Sequence, residues 1–401
     1  MLEHPLKLID IISDRLLLVI LNYFSKSNLK KLQNDTANAA KVQTKVLMDI
    51  LKLQKDTDYG KRYKFSEIKS VKDFRKAHPI STYQDYQDII NNIANTGKFN
   101  QLVAEPIILF QETSGTTGKG KLIPRTKRLF SAFQKVIQAV VGLTESYYLN
   151  KNGNTNNCRG LTLSNAQPLK LTPSGIPRGA GSSGGIKQSK FIQTIIRLKY
   201  TSPPSVFLIS DYRSAYYCHL LFGLLEQDLA YIMGNFAYNL LQGLQTLEKE
   251  WQQLVNDIQY GRIDQSLELD ASTRDDLQNL LKPNPDRAQV LRTEFEKGFE
   301  GILPRIFPKL SYIQCITTGS MQLYKESLQV YTGDLPIYSP GYGASEAWIG
   351  INLEPQKEPP AYVITPSSAF FEFIRISEVD GDAPTTVDLT SLAVGESYEI
   401  V

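Results

Sequence analysis

The sequence predicts an α/β fold in which mixed or parallel sheets are packed by helices, with a strand-rich C-terminal part. Three observations carry this reading. Apolar, β-branched runs alternate with long helical patterns through the first three quarters of the chain. Several short strand-like segments crowd the last quarter. Three apolar runs end in small polar residues, at 112–121, 317–321 and 342–346, which is where open α/β sheets bind ligands. A chain of 401 residues buries about three quarters of its unfolded surface and needs no covalent staples.

The elements follow in order. Residues 6–56 read mostly as helix, and "LLLVIL" at 16–21 is too short to span a bilayer, which needs about 20 apolar residues. The expectation is an amphipathic segment docked on the body, with a membrane-surface helix beside Lys26, Lys30 and Lys31 as the minor alternative. Pro79 to about Asn100 reads as an extended entry and then a helix. "AEPIILFQ" (104–111) is a buried strand, "KLIP" a brief extended piece, and the stretch from Thr126 a helix capped by that threonine. Its apolar residues Leu129, Phe133, Val136, Ile137, Val140 and Val141 share one helical face. "NKNGNTNNCRG" (150–160) is a loop. "PSGIPRGAGSSGG" (173–185) is either ligand-touching backbone or a connector. "PSVFLIS" (204–210) reads as a strand, and helical patterns run from about 211 to 300. "LSYIQCITTG", "LPIYSPGYGASE", "AYVITP", "AFFEFIRI" and "ESYEIV" each read as strands.

Composition narrows the function. A net charge of +3 gives no support for nucleic acid as a partner, and 42% hydrophobic residues argue against global disorder. Three separated cysteines, Cys158, Cys218 and Cys315, suit neither a disulfide framework nor a zinc knuckle and fit a reducing cytoplasm. A histidine-based metal site or catalytic triad would have to use His78 or His219, and neither carries a motif.

The stretch "FQETSGTTGKGKLIPRT" (110–126) nearly spells a P-loop. Leu122 stands where the magnesium-binding hydroxyl belongs, and Pro124 interrupts the helix that should follow. The order is strand, loop, strand, helix. Phosphate holding survives without that topology: glycines 115, 118 and 120 let N–H groups converge on an anion, hydroxyls come from Ser114, Thr116 and Thr117, and charge from Lys119 and Lys121. A polar turn with no ligand remains the alternative. "YGASE" (342–346) adds an aromatic face, a hydroxyl and a hard carboxylate oxygen in five residues. It is not a serine-hydrolase elbow, because Ala347 replaces the final glycine and no histidine follows.

Together "TSGTTGKGK", "TTGSM" (317–321), "YTGDLPIYSPGYGASEAWIGINLEP" (331–355), "YYCHLLFGLL" (216–225), "LEKEWQQLVNDIQYGRI" (247–263) and "AFFEFI" (369–374) resemble the Gretchen Hagen auxin-responsive family of acyl acid–amido synthetases. That family lies within the acyl-adenylate-forming, firefly luciferase-like superfamily. The resemblance implies ATP-dependent adenylation of a carboxylic acid, then transfer to an amine such as an amino acid, with ATP and Mg2+ as cofactors. Ser114, Gly115, Thr116, Thr117 and Gly118 would cradle the β and γ phosphates beside Lys121. Glu346 would hold magnesium, Ser345 would meet the α-phosphate, and Tyr342 with Gly343 would receive adenine. Thr318, Gly319 and Ser320 would line the junction with the acyl group, and Tyr216, Tyr217 and His219 are candidates for the acyl pocket, with core packing as their alternative. The implied partners are a small carboxylic acid and an amino acid, with no nucleic acid, and a membrane is not the expected partner.

The resemblance further implies that residues 1–401 are the adenylating large domain, with 1–56 docked on it. The family's Tyr-Arg-x-Gly-Asp ribose motif and its small C-terminal lid domain would lie beyond "GESYEIV". Two other readings stay open: an acyl-CoA ligase-type enzyme, and a non-catalytic nucleotide- or acyl-binding homologue.

Overall fold

The computed structural model describes residues 4–113, 120–149, 159–164, 167–181, 190–381 and 384–401, with the backbone alone for 4–13, 15, 190 and 191. Strands in chain order are β1 (Ile107–Glu112), β2 (Leu122–Thr126), β3 (Gly160–Leu163), β4 (Lys170–Leu171) and β5 (Pro177–Gly179). They continue as β6 (Tyr231–Phe236), β7 (Tyr312–Ile316), β8 (Ile337–Tyr338), β9 (Gly341–Gly343) and β10 (Trp348–Ile351). The last four are β11 (Val363–Ile364), β12 (Glu372–Arg375), β13 (Thr386–Asp388) and β14 (Tyr398–Ile400). They form four sheets: β2-β1-β5-β4, β3-β6-β7-β8, β11-β10-β9 and β13-β12-β14.

The second sheet is parallel throughout, and it carries the main core. Helices Tyr212–Leu225, Ala237–Tyr260 and Pro285–Phe295 cover it. The first of these is buried on every side from Ser214 to Leu224, as a mostly apolar helix must be. It starts at Asp211, whose carboxylate accepts from the Ser214 N–H at 2.7 Å, a standard way of satisfying a free helix-end donor. Leu163, Leu221 and Leu254 on these elements are fully buried, and each such side chain stabilises by about 1.5–3 kcal/mol.

Several sequence expectations change here. The run 204–210 is not a strand: Val206–Leu208 forms a single 3-10 turn that buries Val206 and Phe207 and leaves Leu208 exposed. The helical reading of 211–300 hid β6, which lies between two helices and is central to the parallel sheet. "LPIYSPGYGASE" is two short strands separated at Ser339 and Pro340, with 344–347 turning into β10. The Gly-rich stretch at 173–185 contains β5, which pairs in parallel with β1; its residues 182–185 lie outside the described residues, as does most of the loop at 150–160. Ile137 points outward, 48% exposed, rather than into the helical face.

The N-terminal segment forms two helices, His4–Ala37 and Ala39–Gln54. The first crosses the helix Lys127–Thr144 closely: a Cβ at Gly142 would stand 2.7 Å from the Ser25 carbonyl oxygen. Asn28 donates to the Gln138 side chain at 2.7 Å, and Leu32 packs beside Ala139 and Val140. Among the described residues no helix is long and apolar enough to cross a membrane.

Candidate functional site

Strands β3, β6, β7 and β8 run the same way, so their C-terminal ends share a rim. Phe236 on β6 lies opposite Ile316 on β7. Beyond β7, Thr318 caps a 3-10 turn, Gly319–Tyr324. Gly319 has φ +62°, a left-handed conformation that a side chain would strain. The turn exposes Gly319 and Ser320 at the rim and leaves Thr318 half-buried.

Tyr362 ties this rim together. Its hydroxyl lies 3.1 Å from Thr318 Oγ1 and 2.7 Å from Ser339 Oγ, at the ends of β7 and β8. Ser339 Oγ also accepts from the Thr317 N–H at 3.3 Å. The Tyr362 ring sits 6.4 Å from that of Tyr342, which is 48% exposed and offers an open face.

The hairpin β1–β2 approaches from the other side. Its loop is pinned at both ends: Thr113 N–H donates to Lys121 O at 3.0 Å, and Lys121 N–H to Thr113 Oγ1 at 3.1 Å. The Lys121 ammonium stands 5.4 Å from the centroid of the Tyr83 ring, and the Tyr83 hydroxyl accepts from Leu122 N–H at 3.0 Å. Ser114, Gly115, Thr116, Thr117 and Gly118 lie outside the described residues, as does Lys119.

The two motif regions meet at Ser345. Gln111, at the end of β1, donates from Nε2 to Ser345 Oγ at 3.0 Å. Arg125, at the end of β2, reaches the Ser345 carbonyl at 3.5 Å. Ser345 sits in a turn closed by Ala344 N–H donating to Ala347 O at 2.9 Å, between the antiparallel strands β9 and β10. Glu346 is exposed on this turn and forms no ion pair among the described residues. Lys121, Ser345, Glu346, Tyr342, Gly343, Thr318, Gly319 and Ser320 therefore flank the seam where the hairpin meets the rim.

Sequence reasoning missed Gln111, Arg125, Ser339 and Tyr362. Arg125 is the most informative. It is 6% exposed, its guanidinium lies 4.3 Å from the Phe133 ring centroid, and no carboxylate pairs with it among the described residues. Burial alone pushes its pKa below the usual arginine value. Among the described residues, Arg125 Nε and Gln111 Oε1 are both buried without a hydrogen-bond partner. Strand alternation could have flagged Arg125, since it points the same way as buried Ile123.

The acyl-pocket candidates on the helix after 211 belong to the core instead. Tyr217 is fully buried and donates to Asp257 Oδ2 at 2.7 Å. Tyr216 packs in the same core. His219 is fully buried between Ser202 Oγ at 2.7 Å and the Ser164 carbonyl at 2.8 Å. Burial pushes its pKa down to about 4, so the ring is neutral, and with the Ser164 carbonyl accepting, Nε2 carries the proton.

Residues 28–337 match the GH3 family N-terminal domain and residues 362–401 the GH3 family central domain. The chain is 31% identical over 375 residues to jasmonoyl-L-amino acid synthetase JAR4 of Nicotiana attenuata, covering 91% of this chain and 64% of that protein. It is also 31% identical over 406 residues to indole-3-acetic acid-amido synthetase GH3.5 of Arabidopsis thaliana, covering 94% of this chain and 64% of that protein. A solved structure of the GH3.15 acyl acid amido synthetase superposes with a TM-score of 0.83 at 29% identity, over 94% of this chain and 65% of that one. The chain thus spans about 64% of the length of these curated relatives. On the domain match and on the likeness of sequence and fold, this chain belongs to the GH3 family.

Proposed function

We propose that this chain is the adenylating domain of an acyl acid-amido synthetase, a ligase that uses ATP to activate a small carboxylic acid and passes the acyl group to an amino acid. One observation carries the reading: the β1–β2 hairpin and the 342–346 turn meet at Ser345, through Gln111. Residues 1–401 act as one unit in this reading, with the segment 1–56 docked on it. The buried free thiols Cys218 and Cys315 suit a reducing, cytoplasmic setting.

The chemistry needs a better leaving group than a carboxylate oxygen. A carboxylate oxygen of the acid attacks the α-phosphorus of ATP, the bond to the β-phosphate oxygen breaks, and pyrophosphate leaves. The amine then attacks the acyl carbon, AMP leaves, and the amine loses a proton. The residues act by positioning and charge neutralisation. Ser114 to Gly118 cradle the β and γ phosphates, with Lys121 as the adjacent cation. Ser345 donates to the α-phosphate, and Tyr342 beside Gly343 stacks on adenine. Thr318, Gly319 and Ser320 line the junction with the acyl group. Phe236 and Tyr238, exposed at the same rim, supply an apolar wall for it.

The residues fit a nucleotide and its metal. Two buried polar atoms beside Ser345, Gln111 Oε1 and Arg125 Nε, lack partners among the described residues. Among the described residues no three His, Cys, Asp or Glu side chains cluster, and magnesium with a nucleotide asks for only one or two carboxylates, the rest coming from phosphate oxygens and water. Glu346 is exposed and unpaired among the described residues, and magnesium held by it would neutralise phosphate charge.

Acid-dependent ATP–pyrophosphate exchange, followed by product analysis with amino acids, tests the proposal. Glu346→Ala should cut exchange by about 100-fold or more and leave the urea midpoint unchanged, since the side chain is exposed. Nucleotide binding with no exchange across a broad acid panel would favour a binding module, and an acyl-thioester product would favour coenzyme A as acceptor.

A further inference from the structure

The first helix, His4–Ala37, carries an apolar face that is uncovered among the described residues. Leu16, Val19, Ile20, Tyr23 and Phe24 are 59%, 64%, 41%, 69% and 49% exposed. They recur at i, i+3, i+4, i+7 and i+8, so they form one contiguous stripe. The opposite side of the helix is occupied by the body: Asp14 pairs with Arg197 at 2.8 Å, Ser25 is buried, and Asn28 bonds Gln138. Single exposed apolar residues are ordinary on a protein surface, but five on one helical stripe mark a binding face. The stripe lies ahead of residue 28, where the match to the GH3 N-terminal domain begins. The inference does not rest on the ligase reading.

Charge selects the occupant. From Leu16 to Asn34 the helix has no Asp or Glu and three lysines. Lys31 is paired with Asp35, whereas Lys26 and Lys30 are exposed and form no ion pair among the described residues. A second copy would bring the same basic stripe and no acid to meet it. An anionic surface satisfies both features. Tyr23 stands where the apolar stripe gives way to lysine, the position aromatic side chains favour at a bilayer interface, and the lysine stems can lie on apolar ground while their ammonium groups reach headgroups. We propose that this helix lies on an anionic phospholipid surface, with Leu16, Val19, Ile20, Tyr23 and Phe24 at the acyl boundary and Lys26 and Lys30 on headgroup phosphates. This takes up the minor alternative of the sequence reading, a membrane-surface helix beside Lys26 and Lys30.

The test is co-sedimentation of the whole chain with phosphatidylcholine vesicles, with and without phosphatidylglycerol. Binding should require phosphatidylglycerol and fall steeply with added salt. Lys26→Gln with Lys30→Gln should weaken it about 25-fold, at about fivefold per lysine. Val19→Asp with Tyr23→Asp should abolish it while circular dichroism and the urea midpoint stay unchanged, because both positions are exposed. Absence of sedimentation with either vesicle overturns the proposal, as does equal binding by the aspartate variant. Sedimentation velocity adds a third arm: a dimer that the aspartate variant dissociates, with no vesicle binding, would assign the stripe to a second copy.

Discussion

Arg125 buries its guanidinium, 6% exposed, and among the described residues gives it one acceptor, a carbonyl 3.5 Å away. Desolvating a charge without a full set of partners costs several kcal/mol. Stacking on Phe133 offsets up to about 2 kcal/mol of that. A residue held at such a cost is better explained by what it does to its neighbour than by stability. Arg125 braces the turn that carries Ser345 and Glu346, and its free edge adds positive potential behind them. Arg125→Met should therefore leave stability unchanged or raise it by about 1–4 kcal/mol, as apolar replacement of buried charge does. The same change should weaken ATP binding by about tenfold, the loss of one charge-assisted contact of ~1.5 kcal/mol. Urea denaturation and nucleotide titration read the two effects separately. A drop in stability with unchanged ATP affinity would make Arg125 an ordinary structural residue.

The helix Lys127–Thr144 shows how much an element can be set by its own start. Thr126 Oγ1 accepts from the Leu129 N–H at 3.4 Å, and the helix then presents Phe133 to Arg125 and to Trp348, 6.3 Å between ring centroids. Thr126→Ala should lower unfolding free energy by about 1 kcal/mol, read as a shift of the urea midpoint with constant slope. This stretch was legible in the sequence because its signals are local: an apolar strand, glycines, a proline, a capping threonine, then a 3.6-residue period. β6 was not. Only Ile232 and Gly234 are buried along its six residues, and it passes through exposed Asn235 and Phe236 straight into the helix at Ala237, so no alternation long enough to separate strand from helix stands out. The turn at 206–208 fails in the opposite sense, as an apolar run whose burial is met without a ladder. At the site, Ser345 and Glu346 stood out by motif. Gln111 did not, because its role comes from a contact 234 residues away along the chain.

Over the whole molecule, the site depends on how firmly distant segments hold the parallel sheet, and His219 is one of the clamps. Its ring joins the segment after β3, through the Ser164 carbonyl, to Ser202 and to the helix Tyr212–Leu225, with the edge of Phe207 against it. All of these partners are neutral, and the hydrogen bond to the Ser164 carbonyl offsets only part of the cost of burying a proton on the imidazole. The folded pKa is pushed down to about 4 by burial, against an ordinary value of 6.5. Between these values the unfolded chain binds a proton that the folded chain refuses. Stability therefore rises with pH across this window, is complete above about 6.5, and is lost as pH falls towards 4. The depression corresponds to about 3 kcal/mol. Urea midpoints for the wild type should fall through this range, and His219→Asn should flatten that part of the profile, whatever its stability at neutral pH. Parallel profiles for the two proteins would mean that other buried groups, His78 among them, carry the acid sensitivity, since burial lowers the His78 pKa in the same direction. A flattened profile would place the acid-labile joint of the fold at the parallel sheet, the element whose rim supplies half of the candidate site.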